Sequence, residues 1–238
     1  ALSARNRELQ RSMAQLGRLR QAKLNEVAQL RSVEEERQQT LETFRSRERR
    51  AMSRLDQLEA DARRMTDLVD DLERRRREAE RRRAVAGREA RGPATLTADD
   101  AGRLEWPVDG ELVYRFGRQR RPDGTVLRWN GIGIAAPPGS PVRAVRDGTV
   151  LMAGPFEGYG PTVVVSHGDG YYTLYLYLED IGVVEGRTVE AGQVVGTVGG
   201  RDTPEGPHIE FQIRAPVQGG SPRAMDPLRW LESRGGGP

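Results

Sequence analysis

The sequence predicts two segregated halves, a long N-terminal helical coiled coil followed by an antiparallel all-β domain. Two contrasts in composition predict this α+β arrangement. The first 90 residues are dense in Arg, Glu, Gln and Leu and contain a single aromatic residue, Phe44. All three Trp and all six Tyr follow Glu105, together with nearly all the Pro. We therefore expect a helical arm at 1–90, a linker at 91–105 and a β-domain with a globular core at 106–238.

The arm is predicted from an apolar stripe that alternates spacings of three and four residues from Leu2 to Leu72. Such a repeat keeps one face of a helix toward a partner helix. The stripe is clean, with an apolar residue at every position, from Ala51 to Leu72. Nearer the N-terminus several of its positions are polar: Asn6, Arg20, Lys23, Glu34, Arg37 and Glu48. A helix with this seam needs a partner, either a second helix of its own chain or another protein. Gly87 marks the expected helix stop.

The arm ends in a basic run, ERRRREAERRR at 73–83. Such a run could bind nucleic acid or lipid headgroups. Its interleaved Glu residues favour a solvated helix end instead, and basic residues suit the negative end of a helix dipole. Because the net charge of the whole chain is only +3, we expect no nucleic-acid partner.

Two absences exclude further classes of protein and site. The chain has no cysteine, which excludes disulfides and thiolate metal sites. This fits either a reducing compartment or a bacterial envelope protein without disulfides. No apolar run reaches the roughly 18 residues that a membrane-spanning helix needs.

The β half is predicted from short alternating runs after Trp106 that are separated by Gly and Pro. Four DG turn signals mark connections between them, at 109–110, 123–124, 147–148 and 169–170. Many short strands at this spacing predict an antiparallel sandwich or open barrel. In the run LYLYL, we expect Tyr175 and Tyr177 on one face. That face either packs in the core or lines a groove.

The order of five motifs in the β half is specific. They are RWNGIGIAAPPGSPVRAVRDGTVLMAG, GYGPTVVVSHGDGYYTLYLYL, VEAGQVVGTVGG, GPHIEFQIR and DPLRWL. Together they resemble a LytM-type peptidase domain over about residues 106 to 232. This is the fold of the lysostaphin-like zinc endopeptidases, which cut peptidoglycan cross-bridges. Active members carry the motifs H-x-G-x-D, Y-x-H-L and H-x-H, in which the first His, the Asp and the last His bind zinc.

The chain departs from this pattern at the positions that would perform the chemistry. Trp129 stands at the first zinc His, Gly133 at the Asp and Glu210 at the final His. Tyr177 replaces the His of Y-x-H-L, whereas His208 matches a catalytic His that does not bind the metal. Glycine has no side chain and an indole N–H offers no lone pair, so only Glu210 could bind zinc. A catalytic site needs about three protein ligands, and we therefore predict no metal, no cofactor and no hydrolase activity.

A coiled coil joined to a LytM domain without zinc ligands resembles the EnvC-like murein hydrolase activators. The RWNG start of the first motif and the closing FQIR and DPLRWL are also similar to this family. The resemblance implies a periplasmic protein of a Gram-negative bacterium, exported with a signal peptide that is absent from this chain. It implies that the LytM domain switches on an N-acetylmuramoyl-L-alanine amidase. It also implies that the coiled coil docks on the FtsEX inner-membrane complex at the division site.

The emptied metal centre is predicted to leave an open groove that receives a helix of the amidase. Tyr, Trp and Arg are frequent anchors of protein interfaces, and a helix in a groove is a recurrent mode of recognition. The residues expected to line or rim this groove are Asn130, Gly133, Tyr159, Thr162, Tyr175, Glu210 and Arg214. Trp129 either lines the groove or, if buried, fills the old zinc cavity. We expect His208 to be a hydrogen-bonded groove residue and His167 to be structural.

The length of the arm and its polar seam positions suggest a further hypothesis. The arm folds back over the groove until a membrane partner pulls it away, which makes the protein a two-state switch. On this hypothesis, removing the arm raises the affinity for the amidase.

Three other functions fit parts of the sequence. The first is a zinc metalloendopeptidase with a rearranged site that acts on peptidoglycan. The second is a periplasmic efflux-type adaptor, because VEAGQVVGTVG is similar to a lipoyl hairpin, although an adaptor is expected to carry its coil inserted within the β-domain. The third is direct binding of peptidoglycan without a protein partner. Zinc analysis, a release assay without amidase, and pull-down on purified sacculi separate them.

Overall fold

The structure of the protein is a computed structural model that describes residues 2–86, 94–120, 124–217 and 220–233. Within these residues one long helix is followed by thirteen strands and two short 3-10 helices. This order confirms the predicted fold class. The predicted helix stop at Gly87 and the start of the predicted linker, 91–93, lie outside the described residues.

Helix α1 spans Leu2–Val85 without interruption. Its sequence contains no Pro and a single Gly, Gly17, and it is rich in Leu, Arg, Glu and Gln, which are strong helix formers. Arg82 and Arg83 lie in its last turn, where they face the negative end of the helix dipole. No described helix combines the length and the apolar character that crossing a membrane requires.

The chain divides into two compact units, Ala1–Arg54 and Leu55–Pro238. The boundary falls inside the predicted arm, so the clean part of the apolar stripe belongs to the same unit as the sheets. In the first unit the apolar members of the stripe are exposed to solvent: Leu9, Met13, Leu16, Val27, Leu30, Leu41 and Phe44.

The strands of the second unit form one large sheet and two small ones. In chain order they are β1 (Glu111–Tyr114), β2 (Gly117–Arg120), β3 (Val126–Trp129), β4 (Ile132–Ala135), β5 (Pro141–Arg143), β6 (Gly148–Phe156), β7 (Gly160–Gly168), β8 (Tyr171–Leu176), β9 (Leu178–Ile181), β10 (Thr188–Val189), β11 (Val194–Val198), β12 (His208–Pro216) and β13 (Pro222–Met225). The large sheet has the order β1-β4-β12-β8-β7-β6-β10, and β13 pairs with β12. The small sheets are β5-β11-β9 and β2-β3.

The central strands β7, β8 and β12 of the large sheet are buried on both faces, and alternation along each strand assigns successive residues to opposite faces. The main core contains Val163, Val165, Phe211 and Ile213 together with residues of the three-stranded sheet. The opposite face of the same strands is covered by α1 rather than by solvent. All strand pairs of this sheet are antiparallel, as predicted from the turn spacing.

The described part of the predicted linker packs into this core. Leu96 and Leu104 are buried there, and Leu104 forms a β-bridge with Leu231 near the end of the chain. A 3-10 helix at Ala98–Asp100 lies between them. Residues 94–105 are therefore part of the β-domain, because their apolar side chains complete its core.

His167 lies on the core side of β7, away from the face that α1 covers. Its Nδ1 donates to the carbonyl oxygen of Asp147 at 2.7 Å, and its Nε2 is 2.8 Å from the hydroxyl of Thr173. Burial lowers the pKa of His167 to about 4. These bonds are consistent with the predicted structural role.

Candidate functional site

The candidate site is the face of the large sheet beneath α1, which we call the groove. Its floor includes His208, Glu210, Gln212 and Arg214, alternate residues of β12 that are each at most 2% exposed. The Gln212 amide donates to Glu210 Oε1 at 2.6 Å, and its Oε1 accepts from Arg214 Nη2 at 3.0 Å. The floor therefore carries a connected row of buried polar groups, which is stable only because its members satisfy one another.

The space expected to be vacated by the metal is filled by the side chain of Tyr114, from β1. Its ring stacks on Trp129 with the centroids 3.8 Å apart. Its hydroxyl donates to Glu210 Oε2 at 3.0 Å and lies 3.3 Å from His208 Nε2. A Cβ atom at Gly133 would come within 2.4 Å of the Tyr114 ring. One aromatic side chain thus contacts all four of the positions that the resemblance assigns to an active site.

The zinc that the fold family implies does not fit these residues. Trp129 is 7% exposed and offers no lone pair, while the place of a side chain on Gly133 is taken by Tyr114. Across the described ranges of the chain, no three His, Asp or Glu side chains are grouped so that they could hold a metal ion. The arrangement leaves Glu210 as a hydrogen-bonded carboxyl group rather than a ligand.

We predict that Gly133→Ala lowers the free energy of unfolding by about 2–3 kcal/mol, because the new methyl group overlaps the Tyr114 ring. Thermal unfolding followed by circular dichroism measures the change. Gly154→Ala is the matched control in β6, where an added Cβ meets nothing within 4 Å. The double variant with Gly133→Ala and Tyr114→Ala should lose less free energy of unfolding than the sum of the losses of the two single variants. Strict additivity would contradict the close contact.

Burial raises the pKa of Glu210 to about 7, although hydrogen bonds from Gln212 and Tyr114 and the charge of Arg214 act in the opposite direction. The carboxyl group of an unfolded chain titrates near 4.5. Between pH 4.5 and about 7, the folded chain therefore binds one proton more than the unfolded chain. The contribution of Glu210 to stability is therefore present at acidic pH and is lost as the pH rises from about 4.5 to about 7.

We predict that Glu210→Gln removes this pH dependence. Relative to the unsubstituted chain, the variant should gain stability as the pH rises from 5 to 8, by up to about 3 kcal/mol. Melting temperatures of both proteins at several pH values test this. A difference in melting temperature that stays constant over that range would show that Glu210 titrates normally in the folded chain.

The groove is covered by residues 55–77 of α1, which we call the covering segment. Met65 and Val69 are fully buried and pack against Tyr172, Leu174 and other floor residues. Nearer its start, Leu55 and Leu58 pack on the cluster of Tyr114, Leu127 and Trp129. The expectation of an open groove is wrong, because the clean apolar stripe of this segment is buried on the groove floor.

Polar contacts hold the end of the covering segment on the floor. Glu73 is 3% exposed and accepts a hydrogen bond from the Tyr172 hydroxyl at 2.5 Å. The same carboxylate pairs with Arg76 at 2.8 Å and with Arg77 at 2.6 Å. Burial acts to raise the pKa of Glu73, but the hydrogen bonds from Arg76, Tyr172 and Arg77 prevail and lower it to about 2. Glu73 is thus a charged, fully partnered group.

A second polar contact lies near the middle of the segment. Arg214 Nη1 donates to the Thr66 hydroxyl at 3.2 Å. Near the start of the segment, Asp61 packs against Gly158, whose φ of +87° and close approach to the carboxylate leave no room for a side chain. Contacts therefore run along the covering segment from Leu55 to Glu73.

Most predicted groove residues lie on this covered face or at its edge. Tyr159 is buried in the cluster beneath the covering segment, and Thr162 shares the face of Val164 in β7 and is buried. Tyr177 packs against Tyr159 and His208, with ring centroids 5.4 and 5.0 Å apart. Asn130 lies half-buried in the turn between β3 and β4.

The prediction that Tyr175 lines the groove is wrong. Its side chain points into the main core, and its hydroxyl accepts a hydrogen bond from the backbone N–H of Val145 at 3.0 Å. Tyr175 and Tyr177 do not share a face, because β8 ends at Leu176 and Tyr177 adopts a left-handed backbone with φ of +58°. The prediction assumed that the strand continues through Tyr177, but it ends one residue earlier.

Three contributors to the site were missed at the sequence level: Tyr114, Tyr172 and Gln212. The alternation of YYTLYL places Tyr172 opposite Tyr175, and the alternation of HIEFQIR places Gln212 beside Glu210. Both residues could therefore have been found from the strand pattern. Tyr114 carried no such signal, because its strand is remote in sequence from the motifs of the site.

Comparisons with known proteins find relatives of the β-domain. The model of peptidase family M23 matches residues 127–227. The chain is 38% identical over 130 residues to the murein hydrolase activator EnvC of Escherichia coli (strain K12), covering 55% of this chain and 29% of that protein. It is 33% identical over 136 residues to the cell division protein DipM of Caulobacter vibrioides (strain NA1000 / CB15N), covering 56% and 22%. It is 30% identical over 151 residues to the murein hydrolase activator NlpD of Salmonella dublin, covering 63% and 37%.

These three alignments span between 22% and 37% of the relatives' own lengths. The matched family region lies wholly within the β-domain and contains the groove positions from Trp129 to Arg214. The likeness therefore concerns the domain that carries the site.

Proposed function

We propose that this chain, which carries an M23 domain and resembles the EnvC-type murein hydrolase activators, switches on a cell-wall amidase and does not cut the wall itself. The observation that carries the proposal is the Tyr114 side chain in the former metal centre, joined to His208 and Glu210. A filled centre has no place for the water that a metal activates. The remaining groove combines apolar floor residues with the buried polar row of β12, a surface that suits an amphipathic helix.

The proposal assigns the covering segment a regulatory role. Residues 55–77 occupy the surface that an amidase helix would need, so the closed chain must release them before it binds. The fully buried side chains of Met65 and Val69 and the contacts of Glu73 support this role. A partner that binds only the open form has its apparent affinity reduced by the fraction of open chains.

The first unit of the chain would supply the signal for release. Its stripe of exposed apolar residues, which includes Leu16 and Leu30, supports docking on a membrane partner, for which the resemblance points to the FtsEX inner-membrane complex. We expect Leu16→Glu combined with Leu30→Glu to abolish binding to FtsEX while leaving amidase binding of the isolated chain unchanged. Pull-down with FtsEX tests this, and unchanged FtsEX binding would remove the first unit from the proposal.

The activator function is tested by release of dye from labelled cell wall. An N-acetylmuramoyl-L-alanine amidase should release little dye alone and more when this chain is added. A lack of stimulation by the chain, in both its closed form and a form with the covering segment loosened, would contradict the proposed function.

A further inference from the structure

The groove floor presents two buried hydrogen-bond donors to the covering segment. One is the hydroxyl of Tyr172, which donates to Glu73. The other is the guanidinium group of Arg214, which donates to the hydroxyl of Thr66. Tyr172 is fully buried and Arg214 is 1% exposed. Each would lose this acceptor when the covering segment leaves.

The two acceptors of the covering segment have a fixed separation. Thr66 and Glu73 are seven residues apart, about two turns of helix, so they lie on the same helical face about 10 Å from each other. The apolar residues Met65, Val69 and Leu72 lie beside them on that face and pack on the floor. The floor is therefore matched to a helix with an acceptor, a carboxylate seven positions later, and apolar residues between and beside them.

Any other occupant of the groove meets the same two donors. A buried donor without a partner costs more than a hydrogen bond gains, so an occupant with apolar or donor groups at these places is disfavoured. The carboxylate that faces Tyr172 is paired with Arg76 and Arg77, which belong to the covering segment and leave with it. Another helix in the groove must therefore carry its own basic residues to balance the charge of its carboxylate.

We propose that Tyr172 and Arg214 select the partner, which presents an amphipathic helix with a hydroxyl or carboxylate facing Arg214 and an acidic residue seven positions later facing Tyr172. This inference rests on the proposed function and deepens it, because it names the chemistry of the amidase segment that replaces the covering segment. The pattern is apolar-acceptor-x-x-apolar-x-x-apolar-acidic, as in MTDLVDDLE at 65–73. Basic residues close to the acidic one in the partner helix would complete the match.

The test uses the full chain with Met65→Asp and Val69→Asp, which loosen the covering segment, and a fluorescent peptide with the sequence of residues 58–80 as the probe. The peptide should bind the opened chain, as measured by fluorescence anisotropy. The peptide with Glu73→Gln should bind at least about tenfold more weakly, because a charge-assisted hydrogen bond is lost. The peptide with Glu78→Gln is the control, since it loses the same charge at a side chain that is 66% exposed.

A second variant separates selection by Tyr172 from general electrostatics. In the opened chain with Tyr172→Phe, the peptides with Glu73 and with Glu73→Gln should bind within about twofold of each other, because their difference depends on the hydroxyl. Thr66→Val in the peptide should likewise weaken binding to chains with Arg214 and have little effect on chains with Arg214→Met. Circular dichroism confirms that each protein variant is folded before its affinity is compared.

The outcomes distinguish this inference from the proposed function. If the peptide binds but Glu73→Gln and Glu78→Gln weaken it equally, or Tyr172→Phe leaves the discrimination intact, the inference is overturned while the groove remains a docking site. If the opened chain binds no peptide and also fails to stimulate an amidase, the proposed function fails.

Discussion

The chain with Met65→Asp and Val69→Asp is expected to bind a peptidoglycan amidase at least about tenfold more tightly than the unsubstituted chain. Both side chains are fully buried against the groove floor. A carboxylate in this apolar contact is unpaired and poorly solvated. It therefore destabilises the closed state, while every residue of the sheet stays unchanged. Surface plasmon resonance or isothermal titration calorimetry with the purified amidase measures the affinity.

The matched control replaces Met13 and Val27 by aspartate in the first unit, where both are exposed, by 65% and 43%. This control adds the same charge to the same helix and should leave amidase affinity unchanged. Equal affinities for the opened chain and the unsubstituted chain would mean that residues 55–77 do not limit access to the groove.

Arg214→Met, introduced into the opened chain, is expected to weaken amidase binding by about 2 kcal/mol, a factor of roughly 30. Arg214 is a cation of the floor that is 1% exposed, and an incoming acceptor would meet it. In the closed chain the same change should also cost stability, because it leaves the oxygens of Gln212 and Thr66 without their buried donor. Glu210, whose pKa is raised to about 7, can take up a proton when the arginine is lost.

Arg223→Met provides the control, because Arg223 is an exposed residue of the neighbouring strand β13. Binding assays and thermal unfolding are run on both variants. Loss of stability with amidase affinity unchanged would make Arg214 a structural residue and would remove it from the docking surface.

The long helix and the antiparallel sheets could be predicted from the sequence because their periods differ clearly. The stripe of three and four residues in α1 and the alternation in HIEFQIR each match one type of element. The same stripe also indicated which part of the helix is buried on the site. Its clean portion, Ala51–Leu72, largely coincides with the covering segment, whereas the exposed first unit carries the polar interruptions.

The faces of strands were predicted correctly only where the strand continues. His208, Glu210 and Arg214 share one face as the alternation requires. Tyr177 does not follow the alternation because its backbone leaves the extended region, whereas Tyr175 lies on the core face of β8. A positive φ at a tyrosine is not encoded in a local pattern, so it depends on tertiary packing against Tyr159 and His208.

Tyr114 could not be assigned to the cluster of Trp129, His208 and Glu210 from the sequence. Its neighbours in the site are 15 or more positions away along the chain, and only the pairing of β1 with β4 brings it opposite Gly133. The absence of a side chain at Gly133 could be seen in the sequence as a lost ligand. The structure adds that the glycine is needed to accommodate the aromatic ring.

In the proposed function, the β-domain of this chain is a docking surface for another enzyme. This role is measured by dye release from labelled cell wall with the opened chain alone, the amidase alone, and both together, each with added zinc. We expect release well above the amidase background only when both proteins are present. Release by the opened chain alone, in proportion to the zinc that it binds, would contradict the proposed function.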